Sequence, residues 1–139
     1  MRYLLDTNVC IEILRGRNLG LRQRLETAGF DQLRLCSIVW AELHCGACLL
    51  PNPEQEIRRI EVAFGGWQRL PFDDAAAERY GEIRARLQRA GRLIGANDLL
   101  IAATALANGL TLITHNTDEF KRVEGLAVED WEAESRARK

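Results

Sequence analysis

Long apolar runs are missing from this 139-residue chain. None approaches the roughly 20 residues that a helix needs to cross a bilayer, so no membrane role is expected. Proline is scarce, and no Pro/Gly/Ser-rich linker or internal repeat divides the sequence. One domain with a real core is expected, at residues 1–132, followed by a charged tail at 133–139 carrying Arg136, Arg138 and Lys139 that should fray. Met1-Arg2 leads straight into an apolar segment with no charged-then-apolar leader, which points to a cytoplasmic protein. Without a secretory leader, Cys10, Cys36, Cys45 and Cys48 are expected to be reduced thiols rather than a disulfide framework.

Excess charge of one sign is also lacking. The net charge is −1, so bulk electrostatics does not announce a nucleic-acid binder. Lysine is nearly absent: Lys121 and Lys139 are the only two among 19 basic residues. Arginine offers planar forks that suit phosphate and stack on bases; a codon usage rich in G and C would produce the same excess.

What is present is an alternation of short apolar runs with amphipathic stretches. Strands are expected at Tyr3–Leu5, Leu33–Cys36, Gln68–Phe72, Leu110–Thr114 and Leu126–Glu129, with Pro71 holding the third at a sheet edge. Between them, helices are expected from Asn8 to Arg15, Leu19 to Ala28, Ser37 onward with Ser37 as its cap, Pro53 to Phe64, Asp73 or Asp74 to about Gly91, and Asp98 to Ala107. Strands separated by helices imply right-handed crossovers, a central, mostly parallel sheet, and a three-layer α/β/α sandwich.

Three acids stand where such a fold gathers ligands. Asp6 follows the first strand, Glu42 lies early in the helix after the second, and Asp98 sits in the first turn of the apolar helix that precedes the fourth. Open α/β sheets bind ligands beyond the carboxyl ends of their strands. Two like charges about 4 Å apart repel by roughly 4 kcal/mol at an effective dielectric of 20, so a pocket holding three acids either protonates one or takes up a hard cation. Mg²⁺ is the natural guest and Mn²⁺ a second possibility, since both favour oxygen ligands. No histidine or thiolate set of zinc type is legible beside the three acids. Taken singly, Asp6 reads as a helix cap, Glu42 as a solvated helix residue and Asp98 as an ordinary first-turn acid.

The residues around these acids carry a resemblance. Leu4-Leu5-Asp6-Thr7-Asn8, Ser37-Ile38-Val39-Trp40-Ala41-Glu42-Leu43, the segment from Ile94 through Asp98 to Ala103, and Leu112-Ile113-Thr114-His115-Asn116-Thr117-Asp118-Glu119-Phe120 resemble, in order, the four motifs of PIN-domain ribonucleases, and within them those of VapC-type toxins of toxin–antitoxin pairs. The resemblance covers nearly the whole chain. It implies a PIN-like fold and metal-dependent endonucleolytic hydrolysis of RNA, with Asp6, Glu42 and Asp98 catalytic and Asp6 and Asp98 holding Mg²⁺ directly or through water. Thr7, Thr114 and Asn116 would be supporting or phosphate contacts. It also implies a cognate antitoxin that blocks the site, and a homodimer formed through apolar helix faces to which Trp40, Trp67 and Phe64 would contribute unless they are core. One departure stands out: many PIN domains carry a fourth acid where this chain has Asn116. Asp118 and Glu119 are close enough in sequence to compensate. One tightly held ion is expected, with a second arriving alongside RNA.

Other readings stay open. A PIN-like protein that binds RNA without cleaving it would keep the fold, and Asn116 is the feature in its favour. A receiver-type phospho-acceptor domain has similar length and an acidic pocket, but needs a lysine at the end of a late strand, where this chain has none; dehalogenase-type phosphatases need an aspartate where Asn8 stands. Cys45-Gly46-Ala47-Cys48 lies too deep in its helix for a redox motif, which sits at a helix N-terminus. His44 and His115 read as hydrogen-bonding surface residues. Arg79, Arg86 and Arg89, with Arg92 beyond, form a stripe that would suit phosphate or simply face solvent beside Glu78 and Glu82.

Overall fold

The computed structural model describes residues 2–132; the tail expected at 133–139 lies outside the described residues. In chain order the elements are β1 (Tyr3–Leu5), α1 (Thr7–Arg15), α2 (Leu19–Ala28), a 3₁₀ turn (Phe30–Gln32), β2 (Leu33–Cys36), α3 (Ser37–Cys48), α4 (Pro53–Phe64), β3 (Gln68–Leu70), α5 (Asp74–Arg89), α6 (Ala96–Ala107), β4 (Thr111–Ile113), α7 (Thr117–Phe120) and β5 (Val128–Glu129). The five strands form one sheet in the order β3-β2-β1-β4-β5. Every pairing is parallel. All three residues of β4 are buried, as expected of a central strand whose two faces are both covered by helices.

This strand order locates the ligand crevice. The chain moves outward from β1 through β2 to β3, then returns to place β4 on the other side of β1. The order reverses between β1 and β4, and the crevice of an open parallel sheet lies beyond the carboxyl ends of the strands at that reversal. Leu5 pairs with Ile113 at this point, so the next residues, Asp6 and Thr114, emerge side by side. The amide of Asp6 donates to the Ile113 carbonyl at 3.0 Å, which continues the ladder one step into the crevice.

The local signals that shape the helices are mostly the expected ones. Asp6 caps α1, Asn18 caps α2, Asn52 caps α4 and Asp73 caps α5, each side chain accepting from an amide of the first turn. Gly16 ends α1 in the left-handed region at φ 66°, a conformation that costs a residue with a Cβ but not glycine. Ser37 departs from expectation. It is the first helical residue of α3, and the cap position belongs to Cys36, whose side chain makes no capping bond. β3 stops at Leu70, before Pro71, and pairs only with β2 at the edge.

The core is built from Leu4, Leu5, Leu33, Leu35, Leu112 and Ile113 of the sheet, with Phe64, Ile101, Phe120 and Trp131 packed around them. Phe64 is fully buried and stacks edge-on with Trp67, so it has no face left for a second copy. Trp40 and Trp67 are only partly buried, and the Arg69 guanidinium lies 4.3 Å from the Trp40 ring. All four cysteines are free thiols. Among the described residues, no helix is long and apolar enough to cross a membrane.

Candidate active site

Four acids from four distant segments face the crevice. Asp6 is 5% exposed, and both of its carboxylate oxygens are engaged: Oδ1 accepts from the Thr7 amide at 2.8 Å, Oδ2 from the Thr114 hydroxyl at 2.8 Å. Glu42 projects from the second turn of α3. Its Oε1 accepts from the Thr7 hydroxyl at 2.6 Å and its Oε2 from the Asn97 amide at 3.3 Å. Thr7 therefore ties the start of α1 to α3, and Asn97 ties α3 to the start of α6, where the neighbouring Asp98 enters the same pocket.

The fourth acid is Glu119. Its Oε1 accepts from the Gly95 amide at 2.8 Å and its Oε2 from the Asn116 side-chain amide at 2.6 Å. Asn116 thus works through Glu119, and the carboxylate expected at position 116 is supplied three residues later. The local signal for this was present: Phe120 is fully buried, and it anchors the single turn of α7 so that the preceding side chain is held at the pocket. From the sequence, Glu119 is one of two acids, with Asp118, that could compensate for Asn116, and it is Glu119 that the fold turns to the pocket. Asp118 is exposed and takes no part in the hydrogen bonds that hold the four acids.

The electrostatics record the crowding. Burial pushes the Asp6 carboxyl above its ordinary range, opposed by the Thr114 and Thr7 donors and reinforced by the charges of Glu42 and Glu119. Asp98 is raised to about 7, first by burial, then by the Asp6 charge and by Glu119. Glu119 moves the other way, held down by the Gly95 amide and the Asn116 side chain. Asp98 and Glu119 also share a hydrogen bond. With Asp98 the more basic of the two, Asp98 keeps the proton and donates it to the Glu119 carboxylate. One member of the quartet is therefore neutral below about pH 7 and ionises as pH rises through it.

The donor set fits a hard cation. Every pocket ligand is an oxygen, and neither histidine nor thiolate joins the four acids. An all-carboxylate oxygen set of this kind suits a hydrated ion, with water completing its shell. Mg²⁺ characteristically keeps several waters and takes only one or two carboxylates directly. A proton on Asp98 is what such a cation would replace.

Thr114 is fully buried, and its hydroxyl both donates to Asp6 and accepts from the Asn116 amide at 3.0 Å. Thr114→Val keeps the volume but removes both bonds. Groups that orient a metal-binding carboxylate are worth about 10- to 100-fold in affinity, and Mg²⁺ titration by calorimetry is expected to show a loss of that size with the fold retained; unchanged affinity would assign Thr114 to packing alone.

Other residues singled out from the sequence lie elsewhere. Arg79 pairs with Glu82 on the α5 surface and Arg86 pairs with Glu124, so this stripe is at least partly neutralised. His44 bonds the Trp40 carbonyl through Nδ1 at 2.8 Å, within its own helix. Cys45 and Cys48 are exposed at the end of α3, the wrong end for thiolate stabilisation by the helix dipole.

Residues 3–126 match the family model described as PIN domain. Among curated relatives, "tRNA(fMet)-specific endonuclease VapC" of Shigella flexneri is 38% identical over 133 residues, spanning 94% of this chain and 98% of that protein. "Ribonuclease VapC2" of Rickettsia felis is 35% identical, spanning 95% and 99%. Among solved structures, VapBC from Salmonella typhimurium bound to DNA superposes with a TM-score of 0.89 at 34% identity, over 94% of this chain and 98% of that one. VapBC2 from Rickettsia felis, bound to a DNA fragment from its promoter, gives 0.88 at 33%, over 94% and 99%.

Proposed function

This chain belongs to the PIN domain family, and we propose on that footing that it is the metal-dependent endoribonuclease toxin of a VapBC-type toxin–antitoxin pair. The observation that carries the reading is the convergence of Asp6, Glu42, Asp98 and Glu119 at the sheet reversal, with an Asp98 proton standing where a cation would stand. Mg²⁺ is our choice of ion on the all-oxygen donor set, with Asp6 and Asp98 as its holders and Glu119 beside them.

A bound ion of this kind polarises a phosphate and offsets charge building on its oxygens. The chain's own residues do the rest. Glu42, held by Thr7 and Asn97, is aimed into the pocket with lone pairs to spare, and it accepts a proton from the attacking water. As the water oxygen bonds to phosphorus, the bond to the 3′ oxygen breaks, and that oxygen leaves as a hydroxyl after taking up a proton. The products are a 5′-phosphate and a 3′-hydroxyl. Asp6 and Thr114 keep the pocket floor rigid, and Asn116 keeps Glu119 turned inward.

The Shigella flexneri relative is named for action on tRNA(fMet), so a folded tRNA is the first substrate to test. Purified protein is expected to cut it with Mg²⁺ or Mn²⁺, to stop on addition of EDTA, and to leave ends that a 5′-phosphate-dependent exonuclease degrades. Binding of RNA without any cleavage in either metal would favour the non-cleaving alternative.

The antitoxin is expected to cover the pocket and the surface leading to it. A groove of about 730 Å³ between α1 and α4 is lined by Ile13, Leu14, Val62 and Ala63, with Val62 88% exposed, together with Arg58 and Arg59 among its polar residues. A neighbouring cleft of about 390 Å³ runs from Leu14 and Leu50 to Glu42 itself. An apolar segment lying there would reach the catalytic acids. A homodimer is also part of this reading; Trp40 and Trp67 remain available to it, and Phe64 does not.

A further inference from the structure

The pocket uses Thr114 and Asn116 but leaves the residue between them to another purpose. His115 is directed at the C-terminal segment, where its Nδ1 lies 3.0 Å from Oδ2 of Asp130 and 3.9 Å from Oε2 of Glu132. One ligand atom from each of the three lies within 4.8 Å of the others. Both carboxylates are sheltered, with side-chain exposures of 16% and 7%, while the imidazole is at 47%. They flank Trp131, which is 1% exposed, stacks edge-on with Tyr3 at 4.9 Å and carries the Arg24 guanidinium 4.4 Å from its ring. That anchor, with the Glu132 amide donating to Asp130 Oδ1 at 3.1 Å, fixes where the two acids point.

We propose that His115, Asp130 and Glu132 form a second metal site, outside the catalytic pocket, that takes Zn²⁺ in preference to Mg²⁺. Two carboxylates from the same segment converge on one ring nitrogen, Asp130 at 3.0 Å and Glu132 at 3.9 Å, so a single ion between them could take one donor atom from each of the three side chains. Donor atoms bound at about 2.0–2.2 Å to one ion stand on the order of 3.0–3.6 Å apart, and the observed separations bracket that range, so small side-chain rotations suffice. One imidazole with two carboxylates is a borderline donor set that suits Zn²⁺, whereas Mg²⁺ favours oxygen alone. His115 would bind as the neutral tautomer with its proton on Nε2. An open cleft of about 430 Å³, lined by Asn8, Arg15, Asn116, His115 and Glu132 among others, gives an entering ion its path and leaves room for water as a fourth ligand. Occupation would clamp the loop after β4, which carries Thr114 and Asn116, to the segment at 130–132.

The test uses tag-free full-length protein and Zn²⁺ itself. In an Asp6→Asn/Asp98→Asn background, which removes the all-oxygen site, competition against a chromogenic chelator is expected to find one equivalent of Zn²⁺ that millimolar Mg²⁺ does not displace. Adding His115→Ala is expected to weaken it by about 100-fold or more, and Asp130→Asn by about 10-fold or more, with circular dichroism unchanged. Adding Cys45→Ser/Cys48→Ser instead is expected to leave it intact. Co²⁺ in place of Zn²⁺ should give a visible ligand-field band that disappears with His115→Ala. Absence of a retained equivalent, its survival in His115→Ala, or its loss only with the cysteine variant would each overturn the assignment. Because the background is nuclease-dead by design, these outcomes do not depend on the proposed RNA cleavage.

Discussion

Asp98→Asn is expected to lower metal-dependent RNA cleavage by about 10²–10³-fold or more while leaving the fold in place. The substitution keeps the shape of the side chain and one oxygen but removes the negative charge, and Asp98 stands in the first turn of α6, partly exposed, without a structural bond that an amide would break. The loss belongs to catalysis, and it should appear in kcat and in Mg²⁺ affinity together. Asp6→Asn is expected to be as inactive for an added reason. Oδ1 and Oδ2 each accept a hydrogen bond from a fixed donor, so an amide nitrogen at either position would face the Thr7 N–H or the Thr114 hydroxyl. Glu119→Gln should be the milder change, because Glu119 stands beside Asp98 rather than at the pocket floor, even though the new amide would face the Gly95 N–H or the Asn116 side-chain donor. Single-turnover cleavage of a tRNA substrate ranks the three. An Asp98→Asn protein that cuts at the wild-type rate would remove the nuclease reading altogether.

Much of this pocket is legible in the sequence itself. Asp6 could be read because the apolar run at Tyr3–Leu5 ends abruptly in polar residues, and a strand end in a parallel sheet is where ligands bind. Glu42 and Asp98 could be read because each lies in an early turn of a helix adjoining a strand. The sheet itself follows from short apolar runs spaced by helices, and the edge position of β3 follows from Pro71. The four-motif resemblance added what position alone could not, the identity of the chemistry.

What was not legible depends on contacts between side chains distant in sequence. Asn116 occupies the place where an acid was missed, and nothing in local pattern says that its amide turns back to orient Glu119. Ser37 has the residue type of a cap, yet the backbone of α3 starts one residue earlier than that role requires. His115 looks like an ordinary surface histidine because its partners lie 15 and 17 positions away, on either side of a tryptophan whose burial is a property of the packed core. Phe64 could be assigned to the core or to a dimer face by sequence, and only packing against Trp67 decides it.

The metal-free protein is expected to lose stability as pH rises from about 4 to 7, and Asp98→Asn is expected to abolish that loss. Below pH 4 the Asp98 carboxyl is protonated in folded and unfolded chains alike, and contributes nothing. Above it the unfolded chain ionises near the ordinary value of 3.8, while the folded chain keeps the proton until about 7. Across this window the folded state binds more protons than the unfolded state, so its stability falls as pH rises, and the full cost is present above pH 7. The difference between 3.8 and about 7 corresponds to at most about 4 kcal/mol; solvent screening at a partly exposed side chain reduces this to on the order of 1–2 kcal/mol. In EDTA at pH 8, Asp98→Asn should therefore melt roughly 3–8 °C above wild type, with the gap closing by pH 4. Adding Mg²⁺ to about 100 times its Kd should return about 2.7 kcal/mol to the wild type at pH 8 and little to the variant. The same addition at pH 5.5 should do less, because the ion must then displace the Asp98 proton. Thermal melts at pH 4, 5.5 and 8, with EDTA and with Mg²⁺, read all of this in one series. A wild-type midpoint that tracks the variant across the whole range would mean that the acids do not strain the empty pocket, and that the proton between Asp98 and Glu119 is not what a cation replaces.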